Sequence, residues 1–590
     1  METHFRVRQA SEVLSVFKLA EDTDFDDNET ESDDDHVKTE SIYESEEDNF
    51  KMEIDGNDGE ISIQQAEAPQ QSKKRRRKSY LCSKNNFIWL RNAPEPRGKR
   101  SLPKYVPSPK GQALNATTPL EAWSVLFTNE ILNIIMIHTN EEIARTVAKI
   151  SETGGRVSPY HKSVDLVELR AMIGLLYFAG LHKVNHTNVR NLWSPYNMSL
   201  FRSTMSENRF MFLLLSVRFD DKNTRAKRKA DDRLANIREI WDMFVANCMA
   251  NYEPHAHCII DEQLLPFRGR CLFRVYMPAK PDKCGLKIVT LNDAMTHYMY
   301  NAIPYVGIVD KDSIETVPSY YIRKLSEPIY HSGRNITCDD WFTSIPICDK
   351  MKKDYNLTMV GTIRKNKREI PEEFKKMPPA GMNVQFCYHD KKTLVSYNSK
   401  GKETVLFLSS LHVNGKIDSA TDEPEIVVFY NNMKGGTDSF DKKCRDYTTA
   451  RKTRRWLMRY FYGMLDQANV NSLILYTLCE NNVKMKPTDF ILDLSLALIK
   501  PFLSRRLTIT TLRSDLRVQI ESFLKYYEIP EDQDPRDLIS DNKMERQKRC
   551  AFCSYTLDRK TFYMCLQCKR PMCRQHVAKI CCNCAIQTDE

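Results

Sequence analysis

The middle of this chain, from His257 to Tyr430, consists of short apolar runs that are rich in β-branched residues. Bounded by polar and turn-forming residues, these runs are HCII, LKIVTLN, HYMYNAIPYVGIV, RNITCD, LTMVGTIR, TLVSYN, VLFLSSLH and EIVVFY. One stretch among them, WFTSIPICDKMKK, has helical spacing. Apolar residues at helical spacing also flank the block, before His257 and from Thr437 to about Tyr527. The pattern therefore predicts an α/β core between two helical regions.

The first helical region has a well-marked beginning. Thr118-Pro119-Leu120-Glu121 forms a capping box with proline in the first helical position. Further helical spacing is found over Asp165–Phe178 and Ile237–Cys248, where the apolar residues form one stripe. Residues 117–256 are thus expected to form an all-helical domain, and 454–530 a second helical segment.

The N-terminal part of the chain has an unusual charge distribution. Residues 21–60 hold 19 Asp and Glu against two Lys, a local charge of −17, so the remaining residues carry 9 + 17 = +26. A basic body with an acidic tail favours a polyanionic partner, foremost nucleic acid, although a merely solubilising tail stays open. Low apolar content predicts disorder over residues 1–116. Within it, the six cations Lys73–Lys78 are interpreted as a nuclear-import signal in preference to a phosphate contact, so we expect a nuclear protein.

Membrane and secreted classes are not expected. No apolar run reaches the roughly 18 residues that a membrane-spanning helix needs. Charged residues interrupt every apolar stretch of the first 14 residues, so this segment does not have the pattern of a secretory signal.

Four aspartates stand at positions where a metal site could be assembled. Asp261 follows the run HCII, and Asp339 follows NITC just before the helix of the central block. Asp438 and Asp441 follow a Gly-Gly pair at the start of the next helix, and their spacing places them on one face. Carboxylates from separate elements can hold two Mg²⁺ ions about 4 Å apart over one phosphodiester. Each aspartate could instead cap a turn or favour a helix N-terminus, and both interpretations stay open at this point.

Longer strings around these aspartates resemble the DDE transposases of the piggyBac family. They are IDEQLLPFRGRCLFRVYMPAKPDKCGLKI, RNITCDDWFTSIP, VGTIRKNKREIP and YNNMKGGTDSFDKKC. The resemblance extends from about Thr118 to the C-terminus. It implies an RNase H-like catalytic core over 257–369 and 426–453, a β-rich insertion domain over 370–425, and helical dimerisation and DNA-binding regions on either side.

The resemblance also implies a reaction and its residues. Asp261, Asp339 and Asp438 would be the catalytic carboxylates that hold two Mg²⁺ per active site, with Asp441 as a further helix aspartate. A homodimer would excise an element at its terminal inverted repeats and insert the 3′ ends at TTAA target DNA. One local departure is Asp340, where close relatives have Asn, so an extra acid lies beside Asp339. The alternative is a domesticated DNA- or chromatin-binding protein that keeps the fold without catalysis.

Two basic stretches are expected to contact the DNA backbone, because affinity for DNA comes mainly from Lys and Arg at its phosphates. Ordinary solvated surface charge is the alternative for each. They consist of Arg364, Lys365, Lys367 and Arg368, and of Arg451, Lys452, Arg454 and Arg455.

The C-terminal segment 545–590 contains regularly spaced metal-ligand pairs. The pairs are Cys550 and Cys553, Cys565 and Cys568, Cys573 and His576, and Cys581 and Cys584. Eight such ligands suit two tetrahedral Zn²⁺ ions, and the pair order suggests a cross-brace in which the first and third pairs share one ion. Cys582 is left over. The segment resembles the Cys-rich, DNA-contacting domain of the piggyBac family, and the histidine position argues against a ubiquitin-ligase zinc domain.

Overall fold

The structure is a computed structural model that describes residues 80–94, 104–278, 280–307, 315–376, 383–398, 403–526, 543–564 and 570–573. These residues divide into two compact units. One contains the described parts of Met1–Thr187 and Met211–Leu498, and the other those of Asn188–Phe210 and Ile499–Glu590. Among the described helices, none combines the length and the apolar character needed to cross a membrane.

The strands lie mainly in the central block, as its β-branched runs predict. In chain order they are β1 (Tyr80–Cys82), β2 (Ile88–Leu90), β3 (Ser108–Pro109), β4 (Tyr252–Glu253), β5 (His257–Pro266), β6 (Arg274–Tyr276), β7 (Cys284–Asp293), β8 (Met299–Pro304), β9 (Asn335–Cys338), β10 (Thr358–Thr362), β11 (Val384–His389), β12 (Lys392–Asn398), β13 (Thr404–Ser409), β14 (Lys543–Arg549) and β15 (Lys560–Tyr563).

The α-helices lie mostly on either side of that block. They are α1 (Pro119–Ser124), α2 (Asn129–Glu152), α3 (Leu166–Leu181), α4 (Val189–Leu192), α5 (Ser199–Thr204), α6 (Glu207–Ser216), α7 (Arg225–Asp231), α8 (Arg238–Ala250), α9 (Val317–Ser326), α10 (Ile345–Tyr355), α11 (Glu372–Lys375), α12 (Glu425–Met433), α13 (Gly436–Asp446), α14 (Trp456–Leu478), α15 (Pro487–Leu507) and α16 (Ser514–Tyr526). The capping box predicted at Thr118 is present, since Thr118 and Glu121 cap each other's backbone N–H groups.

Eleven strands form one mixed sheet in the first unit. Its order is β1-β2-β11-β12-β13-β10-β9-β5-β7-β6, and β8 also pairs with β7. At the centre, β5, β9 and β10 are parallel neighbours, whereas β7 pairs antiparallel with both β5 and β8. The predicted mixture of sheet and helices is confirmed.

The strands of the expected insertion region 370–425 continue this sheet. Strand β13 pairs antiparallel with β10, and β12 and β11 extend the sheet outward. Val360 of β10 and Val395 of β12 are buried in one core together with Ile426 and Tyr430 of α12. The insertion and the central strands therefore share a sheet and a core.

The run EIVVFY, which we expected to be β-structured, belongs to helix α12. Pro424 precedes its first residue, and proline is well suited to the entrance of a helix. Ile426, Val427 and Tyr430 are its buried residues, and their spacing matches one face of a helix that packs on the sheet. A short run of β-branched residues cannot be distinguished from such a face without its tertiary contacts.

The prediction that residues 1–116 are disordered is also wrong for the part of this region that the structure describes. Strands β1 and β2 form a hairpin, and Leu90 pairs with Tyr388 of β11. Trp89 is fully buried and its indole N–H donates to the carbonyl oxygen of Glu369 at 2.8 Å. Residues 1–79, with the acidic segment and the Lys73–Lys78 run, lie outside the described residues.

The helices before and after the sheet share a core within the first unit. The indole N–H of Trp123 in α1 donates to the Tyr177 hydroxyl of α3 at 2.8 Å. That hydroxyl donates to the carbonyl oxygen of Leu465 in α14, also at 2.8 Å. The two helical regions are thus joined by buried hydrogen bonds although almost 300 residues separate Tyr177 from Leu465 in sequence.

Candidate active site

Two of the aspartates lie side by side where parallel strands are neighbours. Strands β5 and β9 are in register up to Ile260 opposite Cys338, so Asp261 and Asp339 are the next residues on each. One carboxylate oxygen from each of Asp261, Glu262 and Asp339 lies within 4.8 Å of the others. We expected Asp261 to lie at the end of a strand. It instead lies within β5, because pairing with β7 extends that strand to Pro266.

The turn after β9 fixes the carboxylate of Asp339. Its Oδ1 accepts the backbone N–H of Trp341 at 3.0 Å and of Phe342 at 3.4 Å. The Thr343 hydroxyl donates to the Asp339 carbonyl oxygen at 2.7 Å. A Cβ at Gly361 on the neighbouring β10 would overlap the Thr343 hydroxyl oxygen, so glycine is required beside this turn.

Crowded carboxylates make this cluster unfavourable for several negative charges. Burial and the neighbouring Glu262 raise the pKa of Asp261, against the opposing charge of Lys280. Burial, Glu262 and Asp340 together raise the pKa of Asp339 to about 7, although the two N–H donors of its turn oppose them. Clustered carboxylate oxygens are suitable ligands for a hard divalent cation, which would also relieve their repulsion.

Glu262 is a further member of this cluster that was not predicted from the sequence. Its Oε1 accepts from the Lys287 ammonium at 2.8 Å, and both side chains are buried. Burial raises the pKa of Glu262, but Lys287, a hydrogen bond with Asp261 and the charge of Lys280 together outweigh this and lower it. The Lys287 ammonium also lies 3.8 Å from the ring centroid of Trp341, in the Asp339 turn. Glu262 directly follows Asp261 in sequence, yet only the pairing of β5 with β7 brings Lys287 to it.

Helix α13 carries the other two predicted aspartates against the sheet. A Cβ at Gly436 would lie 2.8 Å from Cγ2 of Ile259 on β5, so only glycine allows this close approach. The Thr437 hydroxyl donates to Oδ1 of Asn292 on β7 at 3.2 Å, with both residues fully buried. Asp441 is buried beside Gln263 of β5, with which it forms a hydrogen bond. Burial raises the pKa of Asp441, and the Arg445 charge opposes that rise.

Asp438 is connected to the cluster through a lysine. Its side chain is 66% exposed, and its Oδ1 accepts from the Lys280 ammonium at 2.9 Å. Burial lowers the pKa of Lys280, but the charges of Asp261 and Asp438 outweigh this and raise it. The extra acid Asp340 forms an ion pair with Arg364, at 3.5 Å. Asp340 is thus engaged by a cation on the loop after β10.

The two expected DNA-contacting stretches contain side chains of two kinds. Lys365, Arg368, Lys452 and Arg454 are exposed, whereas Lys367 and Arg364 are partly buried. Arg451 donates to the Thr187 carbonyl oxygen at 2.8 Å. Arg455 donates to the carbonyl oxygens of Leu214, Leu215 and Val217. Arg451 and Arg455 thus hold the backbone of neighbouring loops or helix ends, and their expected contact with DNA stays a prediction.

In the second unit, part of the cysteine segment is described. The sulfurs of Cys550, Cys553 and Cys573 lie within 4.8 Å of one another. Cys553 Sγ and Cys573 Sγ are 3.7 Å apart, and the Cys573 backbone N–H donates to Cys550 Sγ at 3.3 Å. Burial opposes ionisation of Cys550, but N–H donors from Cys573 and Phe552 outweigh it and lower its pKa to about 6. These contacts bring both cysteines of the first predicted pair together with Cys573 of the third, and they suit a thiolate-bound metal ion. The remaining predicted ligands lie outside the described residues, namely Cys565, Cys568, His576, Cys581 and Cys584.

Comparison with known proteins identifies the family. The Transposase IS4 family matches residues 118–473, more than half of the chain. The human PiggyBac transposable element-derived protein 3 is 20% identical over 361 residues, which cover 57% of this chain and 59% of that protein. The human Chimeric ERCC6-PGBD3 protein is also 20% identical over 361 residues, 57% of this chain and 33% of that protein. The chain thus matches about three fifths, or less, of the length of these relatives.

A solved structure is similar over a larger part of the chain. It is a piggyBac transposase synaptic complex with hairpin DNA, determined by cryo-EM, with a TM-score of 0.69 and 35% sequence identity. The match covers 81% of this chain and all of the solved chain. The family match, the two human relatives and the solved structure all agree with the resemblance seen in the sequence strings around the aspartates. This chain belongs to the piggyBac-type Transposase IS4 family.

Proposed function

We propose that this protein is a cut-and-paste DNA transposase that cleaves element ends by metal-dependent phosphodiester hydrolysis and joins the 3′ ends to TTAA target DNA. The observation that carries the proposal is the convergence of Asp261 and Asp339 on adjacent parallel strands, with Asp438 linked to this cluster through Lys280. The similar solved transposase was captured with hairpin DNA, which supports DNA ends as the substrate. A mixed sheet that carries carboxylates on neighbouring strands supports an RNase H-like core.

The residues present suit divalent cations. Asp261, Asp339 and Asp438 would hold two Mg²⁺ ions, since all three offer carboxylate oxygens and burial has already crowded the first two. When bound, such ions lower the pKa of water and neutralise charge at the phosphodiester. Asp441 would keep α13 in place through Gln263. The exposed cations would hold the DNA backbone, namely Lys365, Arg368, Lys452 and Arg454.

Further proposals concern assembly, localisation and zinc binding. We infer a homodimer that binds terminal inverted repeats, and nuclear localisation through the Lys73–Lys78 run. Segment 545–590 would bind two Zn²⁺ ions, one of them through Cys550, Cys553, Cys573 and His576. Native mass spectrometry of the full chain should find two zinc ions, and the loss of one in Cys573→Ser. A single zinc ion in the unaltered protein would contradict the cross-brace.

Strand nicking on a duplex element end tests the catalytic proposal. Asp261→Asn, Asp339→Asn and Asp438→Asn should each reduce Mg²⁺-dependent cleavage at least about a hundredfold, because each removes one charged ligand oxygen. Affinity for the duplex should change little, since it comes from many distributed cations. Asp340→Asn is the matched control, being the adjacent acid that pairs with Arg364, and it should cleave at nearly the rate of the unaltered protein.

Two outcomes would redirect the proposal. Unchanged cleavage by Asp339→Asn with loss in Asp340→Asn would exchange the two roles. Tight DNA binding without cleavage by the unaltered protein in Mg²⁺ or Mn²⁺ would instead favour a domesticated DNA-binding protein.

A further inference from the structure

Lys280 lies among the carboxylates of the candidate active site. Its ammonium donates to Asp438 Oδ1 at 2.9 Å, and only 17% of the Lys280 side chain is exposed. Its charge also acts on Asp261 and Glu262. The lysine is therefore a cation that the chain itself supplies to the group of acids where a metal ion would bind.

This arrangement sets up a competition for Asp438. The Asp438 carboxylate is 66% exposed, and its ion pair with Lys280 joins it to the cation that also acts on Asp261 and Glu262. A divalent ion that takes an oxygen of Asp438 meets the ammonium at the same carboxylate. Two like charges a few ångströms apart repel one another, and the repulsion doubles when one of them is divalent.

We propose that Lys280 is a tethered counter-cation that sets the divalent-metal affinity of the site and that metal binding displaces its ammonium from Asp438. The inference rests on the proposed function, because it takes the acid cluster to be the metal site. In the metal-free protein, the lysine offsets part of the repulsion among the acids and holds the exposed aspartate of α13 to the loop between β6 and β7. In the metal-loaded protein, it weakens binding by its residual repulsion.

The test is Mn²⁺ binding to the zinc-saturated full chain, measured by electron paramagnetic resonance without DNA. Lys280→Met should bind Mn²⁺ on the order of tenfold more tightly, because a unit charge beside a divalent ion is removed. Lys280→Arg keeps the charge and should stay within about threefold of the unaltered protein. Lys283→Met is the matched control, because Lys283 is exposed on the same turn and its backbone N–H donates to the Lys280 carbonyl oxygen. It should leave the affinity unchanged.

The double variant Asp261→Asn/Asp339→Asn separates this inference from the function on which it rests. If the double variant keeps all Mn²⁺ binding, the acid cluster is not the metal site and the proposed function fails with it. If that variant loses a binding event while Lys280→Met keeps the original affinity or weakens it, only the role of Lys280 is wrong. Lys280→Gln serves as a second neutral variant should Lys280→Met fold poorly, and the same tightening is expected of it.

Discussion

At the scale of single residues, the acidic cluster depends on a buried cation. Lys287 is only 1% exposed in the middle of β7, and its ammonium pairs with Glu262 and lies over Trp341. A buried charge is tolerated only when it is paired, and here each member of the pair satisfies the other. The pair therefore allows Glu262 to remain charged beside Asp261 and Asp339.

Lys287→Met should destabilise the protein more than the loss of both charges does. The single change leaves Glu262 buried without its cation, which costs about 3–5 kcal/mol. Lys287→Met/Glu262→Gln removes both charges and should recover at least half of that free energy. The melting temperatures of the three proteins, measured at neutral pH without divalent ions, give the comparison. Equal melting temperatures for the single and double variants would show that the ion pair is not what holds this region.

The metal-free protein should lose stability as the pH rises from about 4 to about 7. Burial and Glu262 raise the pKa of Asp339 from 3.8 to about 7, so the folded protein keeps a proton that the unfolded chain has released in this window. That contribution is complete below about pH 4 and is lost once the pH exceeds about 7. Asp339→Asn removes this titration, so its melting temperature should fall less between about pH 5 and pH 8. If the melting temperatures of the two proteins fell equally between about pH 5 and pH 8, the raised pKa of Asp339 would be contradicted.

The roles of some residues in this site could be predicted from the sequence, and those of others could not. Asp261 and Asp339 follow apolar runs of recognisable type, so their place after strand-forming runs could be proposed from the sequence, whereas the pairing of β5 with β9 could not. Lys287 lies inside the run LKIVTLN, where no local pattern distinguishes a buried partner from an exposed lysine. Its role depends on the register of β5 with β7, which pairs Lys287 with Leu264, a property of the tertiary structure. Arg451 and Arg455 show the same limit, since their acceptors are backbone carbonyls more than 200 residues away in sequence.

At the scale of elements, the position of α13 depends on one close contact. Gly436→Ala should separate the helix from the sheet, because its Cβ would lie 2.8 Å from Ile259 Cγ2 and 3.2 Å from Ala294 Cα. Such overpacking costs about 1–3 kcal/mol. Cleavage should fall at least tenfold, since Asp438 and Asp441 move with the helix.

Gly435 provides a control for that prediction. The nearest atom to a Cβ at Gly435 is Ser439 Oγ at 4.0 Å, and its φ of −83° suits any residue. Gly435→Ala should therefore cost less than about 1 kcal/mol, the range of a helix N-cap change, and should retain cleavage. Melting temperature and strand nicking, measured for both variants, test this difference between Gly435 and Gly436. If Gly435→Ala were as damaging as Gly436→Ala, flexibility of the Gly-Gly pair would explain both.

The elements that sequence reasoning missed are those that other elements stabilise. Strands β1 and β2 have three residues each, too short to be stable alone, and Trp89 docks them onto the sheet. Helix α12 has a β-branched composition but buries one face on the sheet. Long periodic helices were predicted well, because their stripes and caps are local features, as the capping box of Thr118 illustrates.

At the scale of the whole molecule, negative charge is concentrated in one N-terminal segment and positive charge in the rest of the chain. The segment 21–60 carries −17, and the rest of the chain carries +26. The hairpin of β1 and β2 anchors the chain beside the basic loop 364–368, since Trp89 bonds to the carbonyl oxygen of Glu369. The intervening residues 61–79 can span at most about 65 Å when fully extended. Because the acidic segment belongs to the same chain, it competes at high effective concentration for the cations that we propose contact DNA.

Removing residues 1–60 should therefore strengthen binding to nonspecific duplex DNA. A tethered polyanion competes with phosphates for the same Lys and Arg side chains, so the gain should be largest at low salt and should fade as screening increases. A chain that begins at Ile61 lacks residues 1–20 and the acidic segment, and keeps the Lys73–Lys78 run and the Trp89 anchor. Fluorescence anisotropy across a salt series compares it with the full chain. A further comparison replaces the acidic residues of 21–60 by their amides, which keeps the length and should give the same gain as the deletion. Equal affinities of all three proteins at the lowest salt would show that the segment only solubilises the protein.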